Sequence, residues 1–419
     1  MKLYRKYYLI LVIMFLVGCQ SIGISKSAPL VQTSTITISP KSFQTQTFTS
    51  LSDITPTDSI QPADKDFLKY ECLNLAPNIP SSANLTGRLV LQNNQLDYFD
   101  FEKRSFQIIS GSRGDLSVSP DGEWLAYYVI SKDSPTGLWL TVENASGQQK
   151  RIPLQQDWYR GMGIKWLDNQ RFVYNMWNAK TITPIYPIIV INPFTGVTQT
   201  LNSDYPNLVP KVWGMAGTMH FVNSTVVYDA SLDLVVYPET NNNGEFVVLW
   251  DKNAQVALAR VRDLGDFGHT PLWLPDESGY VIAVRNTQEN DEWFMVSREG
   301  RVHQLTHFAD SLSQTNIESA SISPDGRYLA FWLESVPSSF PGYNLAIIDL
   351  ETQQVTDYCI PGSSEAIIKP FWSPDSQYIV VGSIDVAKQL QVILIAPFAR
   401  WAARIADDFT PYGWMRTTP

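Results

Sequence analysis

The sequence is poor in the residues on which many enzyme and metal centres are built. Its 419 residues include four histidines and three cysteines, and charged residues make up 17%. A three-histidine or two-metal centre would need more ligands than these residues offer. The nucleophile pattern Gly-x-Ser-x-Gly is absent from the sequence, which excludes the usual hydrolase elbow. We therefore expect a protein that is not an enzyme, with no catalytic residues, no cofactor and no metal.

Basic residues are also outnumbered. Lysine and arginine together number 31 against 41 aspartates and glutamates, which gives a formal net charge of −10. An acidic surface repels the phosphate backbone of DNA and RNA. We therefore do not expect a nucleic acid among the partners of this protein.

Long apolar runs are scarce, and the clearest one lies at the N-terminus. The run "LILVIMFLVG" (9–18) follows the basic stretch "MKLYRKYY" (1–8) and is too short for a typical spanning helix. It ends in "LVGC" (16–19), which resembles the lipobox of bacterial lipoproteins. The resemblance implies a signal peptide over 1–18, cleavage before Cys19 and acylation of that cysteine. The alternative is an ordinary secretory signal that happens to contain a cysteine.

The segment after Cys19 is rich in serine and threonine and carries no regular apolar period up to residue 62. Such a composition is typical of an extended, disordered tether. Residues 63–84 are then a transition segment that we expect to form a short helix or a cap. Together with the lipid, the tether predicts a protein anchored to the bacterial cell membrane or outer membrane and facing the extracytoplasmic space.

Two further cysteines, Cys72 and Cys359, lie far apart in the sequence. In an oxidising compartment such a pair can form a disulfide, provided that the fold brings the two together. Two buried free thiols are the alternative that the sequence leaves open.

What the chain does have is a repeated unit. The stretch "SISPDGRYLAFW" (321–332) matches "SVSPDGEWLAYY" (117–128) and, with serine for glycine, "FWSPDSQYIVVG" (371–382). More decayed copies lie near residues 166, 221 and 273, so the period is about 50 residues, the spacing of a repeat architecture. Proline, aspartate and glycine favour a tight turn, and the apolar runs on either side predict an antiparallel hairpin.

A second hairpin follows each of these turns, so each unit predicts a four-stranded blade with strands a to d from the inside outwards. Six full units lie between 117 and 406, and "GRLVLQNNQLDYFDFEKRSFQIIS" (87–110) supplies three further strands. The C-terminal stretch 410–416 can supply the missing strand a and close the ring. We therefore predict an all-β propeller over 85–419, with seven blades favoured over six.

These Pro-Asp-Gly repeats resemble the TolB-like, WD-repeat-like propeller family. The resemblance covers most of 85–416 and implies the fold more strongly than any function. The α/β domain that precedes the propeller in TolB-type proteins has no counterpart here, so a role in the Tol system is not carried over. The resemblance implies that the repeat aspartates have a folding role; they are Asp121, Asp325 and Asp375, with Asp168 and Asp276 as weaker matches.

Binding residues are expected on the connections that join strand d to the next strand a and strand b to strand c. The longest of these are 154–163, 202–217 and 261–271, together with 229–244, which we assign as a b-to-c connection. Aromatic residues with arginine are typical of binding hot spots. The predicted binding residues are Trp158, Tyr159, Arg160, Tyr205, Trp213, Phe267 and His269. For the tryptophans, the alternative is that they only fill space at the tops of the blades.

The sequence therefore predicts a monomeric lipoprotein whose propeller binds an envelope protein or peptide without catalysis. A glycan-binding or glycan-processing propeller, using loop carboxylates such as Asp204, Asp263 and Asp266, is the alternative function. The acid-rich stretches "RDLGDFGH" (262–269) and "NDEW" (290–293) also leave a calcium ion open as a minor alternative.

Overall fold

The repeated apolar runs fold as strands because their residues alternate and tight turns follow them. The computed structural model describes residues 68–93, 96–109, 114–135, 137–154, 165–175, 188–201, 227–265, 269–336, 342–362, 367–384 and 389–417. Within these ranges the regular structure is β, apart from one 3-10 turn, η1, at Phe308–Asp310. Across the same ranges no helix has the length and apolar character needed to cross a membrane.

The strands form seven four-stranded antiparallel blades, which confirms the prediction of an all-β propeller with seven blades rather than six. In chain order they are β1 (Leu68–Tyr70) and β2 (Leu75–Ala76), ahead of the blades; β3 (Arg88–Gln92), β4 (Leu96–Asp100) and β5 (Ser105–Ile109) in blade 1; β6 (Gly114–Val118), β7 (Trp124–Ile130), β8 (Leu138–Asn144) and β9 (Gln149–Pro153) in blade 2; β10 (Lys165–Trp166), β11 (Phe172–Asn175), β12 (Ile188–Ile191) and β13 (Thr198–Leu201) in blade 3; β14 (Val227–Tyr228), β15 (Leu234–Asn241), β16 (Gly244–Asp251) and β17 (Val256–Arg262) in blade 4; β18 (Leu272–Trp273), β19 (Gly279–Arg285), β20 (Asp291–Ser297) and β21 (Val302–Gln304) in blade 5; β22 (Gln314–Ile322), β23 (Tyr328–Val336), β24 (Asn344–Asp349) and β25 (Val355–Pro361) in blade 6; β26 (Phe371–Trp372), β27 (Ile379–Ile384), β28 (Leu390–Ala396) and β29 (Trp401–Asp407) in blade 7; and β30 (Thr410–Met415), which returns to blade 1.

The chain's own C-terminal strand closes the ring, as predicted. Strand β30 pairs antiparallel with β3, so Met415 lies opposite Arg88. The Trp414 side chain is 4% exposed and stacks on Phe101, with 4.3 Å between the ring centroids. Its indole Nε1 donates a hydrogen bond to the Thr86 carbonyl at 3.0 Å. Blade 1 therefore combines strands from both ends of the propeller.

The a-to-b turns share one hydrogen-bonding arrangement. In blade 2, the Ser119 hydroxyl donates to the Asp121 carboxylate and accepts from the Trp124 amide. The equivalent bonds occur in blades 6 and 7, in the sets Ser323, Asp325, Tyr328 and Ser373, Asp375, Tyr378. The Asp168 and Asp276 carboxylates accept backbone amides of the residues that follow them, at Gln170, Arg171 and Ser278. All five repeat aspartates thus hold turns in place.

Blade 4 differs from the sequence prediction. The a-to-b turn lies at 229–233 and not near residue 221, and β15 and β16 are joined by a two-residue turn. The assignment of 229–244 as a long b-to-c connection was therefore wrong. Asp229 is fully buried in this turn and accepts hydrogen bonds from the Leu234 amide and the Arg298 guanidinium. The turn of blade 4 lacks the Pro-Asp pair of the repeat, so the sequence did not indicate where its strands begin and end.

The described part of the segment before blade 1 forms two short strands, where we expected a short helix or a cap. Strand β1 pairs parallel with β25, and β2 pairs parallel with β29. Each adds a fifth strand to the outer edge of blade 6 or blade 7, where unpaired backbone groups favour strand addition. Between them, Cys72 forms a disulfide with Cys359, with 4.8 Å between the Cα atoms. This segment therefore links the outer edges of two neighbouring blades.

Inner strands of neighbouring blades are tied by tryptophans. The Trp166 indole of blade 3 donates to the Ser117 carbonyl of blade 2 at 3.2 Å. The Trp372 indole of blade 7 donates in the same way to Ser321 of blade 6 at 3.1 Å. Between the blades lie apolar clusters, so the core is a series of interfaces around the channel.

Candidate functional site

One of the seven predicted binding residues falls within the described structure. That residue is His269, in the connection from β17 of blade 4 to β18 of blade 5. The other predicted binding residues and the lipidation site lie outside the described residues; they are Trp158, Tyr159, Arg160, Tyr205, Trp213, Phe267 and Cys19. Asp204 and Asp266, named for the glycan alternative, lie outside them as well.

His269 lies at what we call the loop face, the end of the propeller where Asp263 follows β17 and the turn 286–290 joins β19 to β20. A group of charged residues meets there, at the junction of blades 4, 5 and 6. Asp263 follows β17, Arg285 ends β19, Asp291 begins β20 and Glu318 lies on β22. These elements belong to three blades, so the ring closure brings together residues that are distant in sequence.

Asp291 is the centre of this group. Its side chain is 1% exposed and accepts hydrogen bonds from Arg285 Nε at 2.9 Å, from His269 Nε2 at 3.2 Å and from the Ile317 amide at 2.9 Å. Burial alone would raise the pKa of Asp291, but the bonds and charges of His269 and Arg285 hold it at about 2. Asp291 is therefore an ionised carboxylate whose lone pairs are already occupied, and its role is to position its neighbours.

The imidazole of His269 is held between carboxylates. Burial lowers its pKa, but the hydrogen bond to Asp291 and the charges of Asp291, Asp263 and Glu318 outweigh burial and raise it. The hydrogen bond to Asp291 engages Nε2. The hydrogen bond to Asp291 thus fixes the orientation of the His269 ring.

Arg285 connects two blades at this point. Its guanidinium holds Asp291 of blade 5 and donates from Nη2 to the Asn316 side-chain oxygen of blade 6 at 2.9 Å. Asn316 in turn donates to the Glu334 carboxylate at 2.9 Å. Arg285 and Asn316 therefore form a hydrogen-bond network that extends from Asp291 of blade 5 to Glu334 of blade 6.

Asp263 is buried, and only one of its two carboxylate oxygens accepts hydrogen bonds from described residues. Its Oδ1 accepts the amides of Gly265 and Arg285, at 2.9 and 3.1 Å, while its Oδ2 has no partner among the described residues. Burial raises the pKa of Asp263. A side chain at Gly265 would crowd Arg285, because a Cβ placed there lies 3.0 Å from the Arg285 Cβ. The glycine lets the connection pass close to the end of β19 and lets Asp263 reach it.

Glu318 is the least engaged carboxylate of the group. It lies on the innermost strand of blade 6 at a β-bulge, where the pairing shifts between Glu318 and Ser321 and Ser319 adopts a φ of 35°. Its side chain is half-buried and makes no hydrogen bond to any described residue. Burial raises the pKa of Glu318, and the charge of His269 lowers it. Bulges next to binding sites often redirect a side chain in this way.

The half-buried ring of Tyr343 lies near the same charges. Burial raises the pKa of its phenol, and Glu318, Glu334 and Asp291 raise it further. We call Asp263, Asp291, Glu318, Glu334 and Tyr343 the acidic site. Four carboxylates here face one guanidinium and one imidazole, so the site is suited to a cationic group. An aromatic ring beside the carboxylates adds a surface for cation–π contact.

Sequence reasoning identified part of this site. It named His269 and Asp263 and noted the acid-rich stretches 262–269 and 290–293, which the fold brings together. It missed Arg285, Glu318 and Tyr343. Arg285 and Glu318 lie on strands whose pattern reads as ordinary blade structure, and Tyr343 directly precedes β24. Among the described residues, no group of three or more histidines, cysteines and carboxylates is arranged to hold a metal ion.

Comparison with known proteins finds similarity at the level of the fold. No protein-family model matches the chain, and no curated protein does either. Among solved structures, TolB from Acinetobacter baumannii is 14% identical, with a TM-score of 0.44 over 78% of this chain and 82% of that chain. The acylaminoacyl peptidase of Pyrococcus horikoshii is 12% identical, with a TM-score of 0.50 over 76% of this chain and 50% of that chain. The β-propeller domain of the Trilobed protease from Pyrococcus furiosus is 9% identical, with a TM-score of 0.47 over 74% of this chain and 86% of that chain. All three are below 25% identity, so the likeness extends to the fold alone.

Proposed function

We propose that this protein is a membrane-anchored, extracytoplasmic bacterial lipoprotein whose propeller is a non-enzymatic binding module for a protein or peptide. In this proposal residues 1–18 are the signal peptide, Cys19 carries the lipid, and the segment up to residue 62 tethers the propeller. The Cys72–Cys359 disulfide supports an extracytoplasmic compartment, because disulfides persist where the surroundings are oxidising.

The acidic site is the observation that carries the binding proposal. Asp291 and Arg285 satisfy each other, whereas Glu318 stays uncommitted on an inner strand and Asp263 keeps a buried oxygen without a described partner. Such a preformed surplus of carboxylates binds a cation without first having to reorganise. We propose that the ligand presents an arginine or lysine side chain, which places its charge beside Glu318 and its stem against Tyr343.

Defined peptides can test this site. We expect the full-length protein to bind the peptide acetyl-Gly-Gly-Arg-Gly-Gly-amide more tightly than the same peptide with neutral citrulline, as measured by calorimetry. A Glu318→Gln variant should lose that preference, because its amide no longer attracts the charge. Glu123→Gln is the matched control, because Glu123 is exposed and lies on the turn between β6 and β7. Equal binding of both peptides, or no effect of Glu318→Gln, would refute the acidic site as the binding surface.

The anchor is tested separately. A Cys19→Ser variant should lose incorporation of an alkyne-labelled palmitate and should leave the membrane fraction, while its propeller keeps the same melting temperature. Labelling of the variant at the wild-type level would overturn the lipoprotein proposal and leave the binding proposal standing.

A glycan is the alternative ligand, and the buried Asp263 carboxyl is the observation that favours it. Its Oδ2 has no hydrogen-bond partner among the described residues, so it can accept a hydrogen bond from a sugar hydroxyl. Saturable binding on a glycan array that is lost in an Asp263→Asn variant, without any effect of the arginine peptide, would favour this alternative.

A further inference from the structure

Residues 68–76, which we call the strap, lie on the outer edges of blades 6 and 7. Each residue of the strap is either exposed or half-buried. Strand β1 has three residues and β2 has two, and each pairs with the outermost strand of its blade. Strands this short make few backbone hydrogen bonds and bury little apolar surface. The strap therefore has the features of a segment of low local stability.

The other non-covalent contacts of the strap are few. The amides of Glu71 and Leu73 donate hydrogen bonds to carbonyls of β25, at 2.8 and 3.2 Å. The Glu71 carboxylate lies 3.5 Å from Arg400 Nη2, but the Arg400 side chain is 65% exposed, and such ion pairs contribute little to stability. The half-buried side chains of Leu68 and Leu73 pack against the cores on the two sides of blade 6. The Cys72–Cys359 disulfide is therefore the strongest single connection between the strap and the propeller.

Cys359 lies at an irregular point of β25. The pairing of β25 with β24 shifts around residues 358–360, which form a bulge. Cys359 has a φ of 58°, a conformation that is uncommon for a residue with a side chain, and its amide donates to Asp357 Oδ1 at 2.7 Å. A bulge frees residues from the ladder and redirects their side chains. The irregularity thus places Cys359 opposite Cys72, with 4.8 Å between the Cα atoms.

The two cysteines differ in their access to solvent. Cys72 is exposed, whereas Cys359 is half-buried. A disulfide is cleaved when a thiolate attacks one sulfur and the other sulfur leaves, so access decides which sulfur is attacked. We therefore expect attack on Cys72, with Cys359 as the leaving thiolate. Exposed disulfides are also the ones that are most often labile and regulatory.

We propose that the Cys72–Cys359 disulfide is a redox switch, which a dithiol opens to release the strap from blades 6 and 7. One thiolate of the dithiol attacks Cys72 Sγ, which breaks the S–S bond and releases Cys359 as a thiolate. The second thiolate then attacks the sulfur of the dithiol in this mixed disulfide and releases Cys72 as a thiolate. The dithiol is oxidised by two electrons to a disulfide, the switch is reduced by two electrons, and the two protons of the dithiol pass to the two cysteines.

Release of the strap uncovers backbone groups that the oxidised protein keeps paired. The amides of Glu71 and Leu73 lose their carbonyl partners, and the outer edges of β25 and β29 lose the strands that cover them. Amides without a hydrogen-bond partner exchange their hydrogen with solvent faster than paired ones. The exchange rate of the strap therefore reports whether the switch is closed or open.

Hydrogen–deuterium exchange on the full-length protein, read by mass spectrometry with and without dithiothreitol, tests the switch. Dithiothreitol is a small dithiol, and alkylation of Cys72 and Cys359 in native buffer shows that it has reduced the bond. After reduction, we expect peptides that cover the strap to exchange at least about tenfold faster, because the remaining contacts allow local opening. Peptides that cover the inner strands β23 and β28 should stay protected over the same labelling times.

The matched control is a variant that carries both Cys72→Ser and Cys359→Ser. It should exchange like reduced wild type, whether or not dithiothreitol is present. The proposal would be overturned if the bond were reduced only after unfolding in urea, or if reduction left the exchange of the strap unchanged. Loss of protection in β23 and β28 together with the strap would also overturn it, because the bond would then be a support of the whole fold. None of these results bears on the acidic site, which is tested with cationic peptides and Glu318.

Discussion

Replacing Trp414 by alanine tests whether the C-terminal strand closes the propeller. The indole is 4% exposed and stacks on Phe101, and its Nε1 donates to the Thr86 carbonyl. Truncating a buried tryptophan costs about 3–5 kcal/mol through lost burial and the cavity that remains. Leaving the Thr86 carbonyl without its donor adds about 1 kcal/mol. We expect Trp414→Ala to lower the free energy of unfolding by about 4–6 kcal/mol.

That loss is a large share of the total stability of a folded domain, which is about 5–15 kcal/mol. Urea unfolding followed by tryptophan fluorescence and by circular dichroism measures it. Trp414→Phe keeps a ring against Phe101 and removes the indole donor, so a smaller loss is expected. Ile130→Ala is the control, because Ile130 is 65% exposed and its truncation should change stability by less than about 1 kcal/mol. If Trp414→Ala unfolded within 1 kcal/mol of wild type, closure by β30 would not stabilise the ring.

Two further predictions concern the disulfide and the acidic site. Replacing both Cys72 and Cys359 by alanine should lower the free energy of unfolding by about 2–5 kcal/mol, since the bridge closes a span of 287 residues, and should abolish the effect of dithiothreitol on the melting curve. Asp291 has a lowered pKa, so its contribution to the free energy of unfolding is present above about pH 4 and is lost as the pH falls from about 4 to 2. Over this pH range, urea titrations of Asp291→Asn should show a change in the free energy of unfolding that is about 2 kcal/mol smaller than in the wild type.

The blade pattern was readable in the sequence because it is local. A Ser-Pro-Asp turn and the alternating strands beside it fall within about a dozen residues, and their hydrogen bonds form within the same stretch, as in Ser119, Asp121 and Trp124. Where the turn had diverged, as at Asp229, the prediction placed the strands of blade 4 in the wrong register. The edge strands β1 and β2 were not predictable, because their partners β25 and β29 lie far along the chain.

The candidate site was predictable only in part. His269 and the acid-rich stretches were identified by residue type, but the sequence did not indicate that Asp291 would be paired with Arg285. Nor did it indicate that Glu318 would remain without a hydrogen-bond partner among the described residues.

By itself, the sequence determined the repeat, the number of blades and the strand that closes them, since turn chemistry and strand alternation act between near neighbours. The tertiary structure alone decided which charges meet. The fold brings blades 4, 5 and 6 together at the acidic site, where the hydrogen bonds and charges of His269 and Arg285 lower the pKa of Asp291. Charge interactions depend on distance and on exclusion of water, and both are set by the whole fold and not by spacing along the chain.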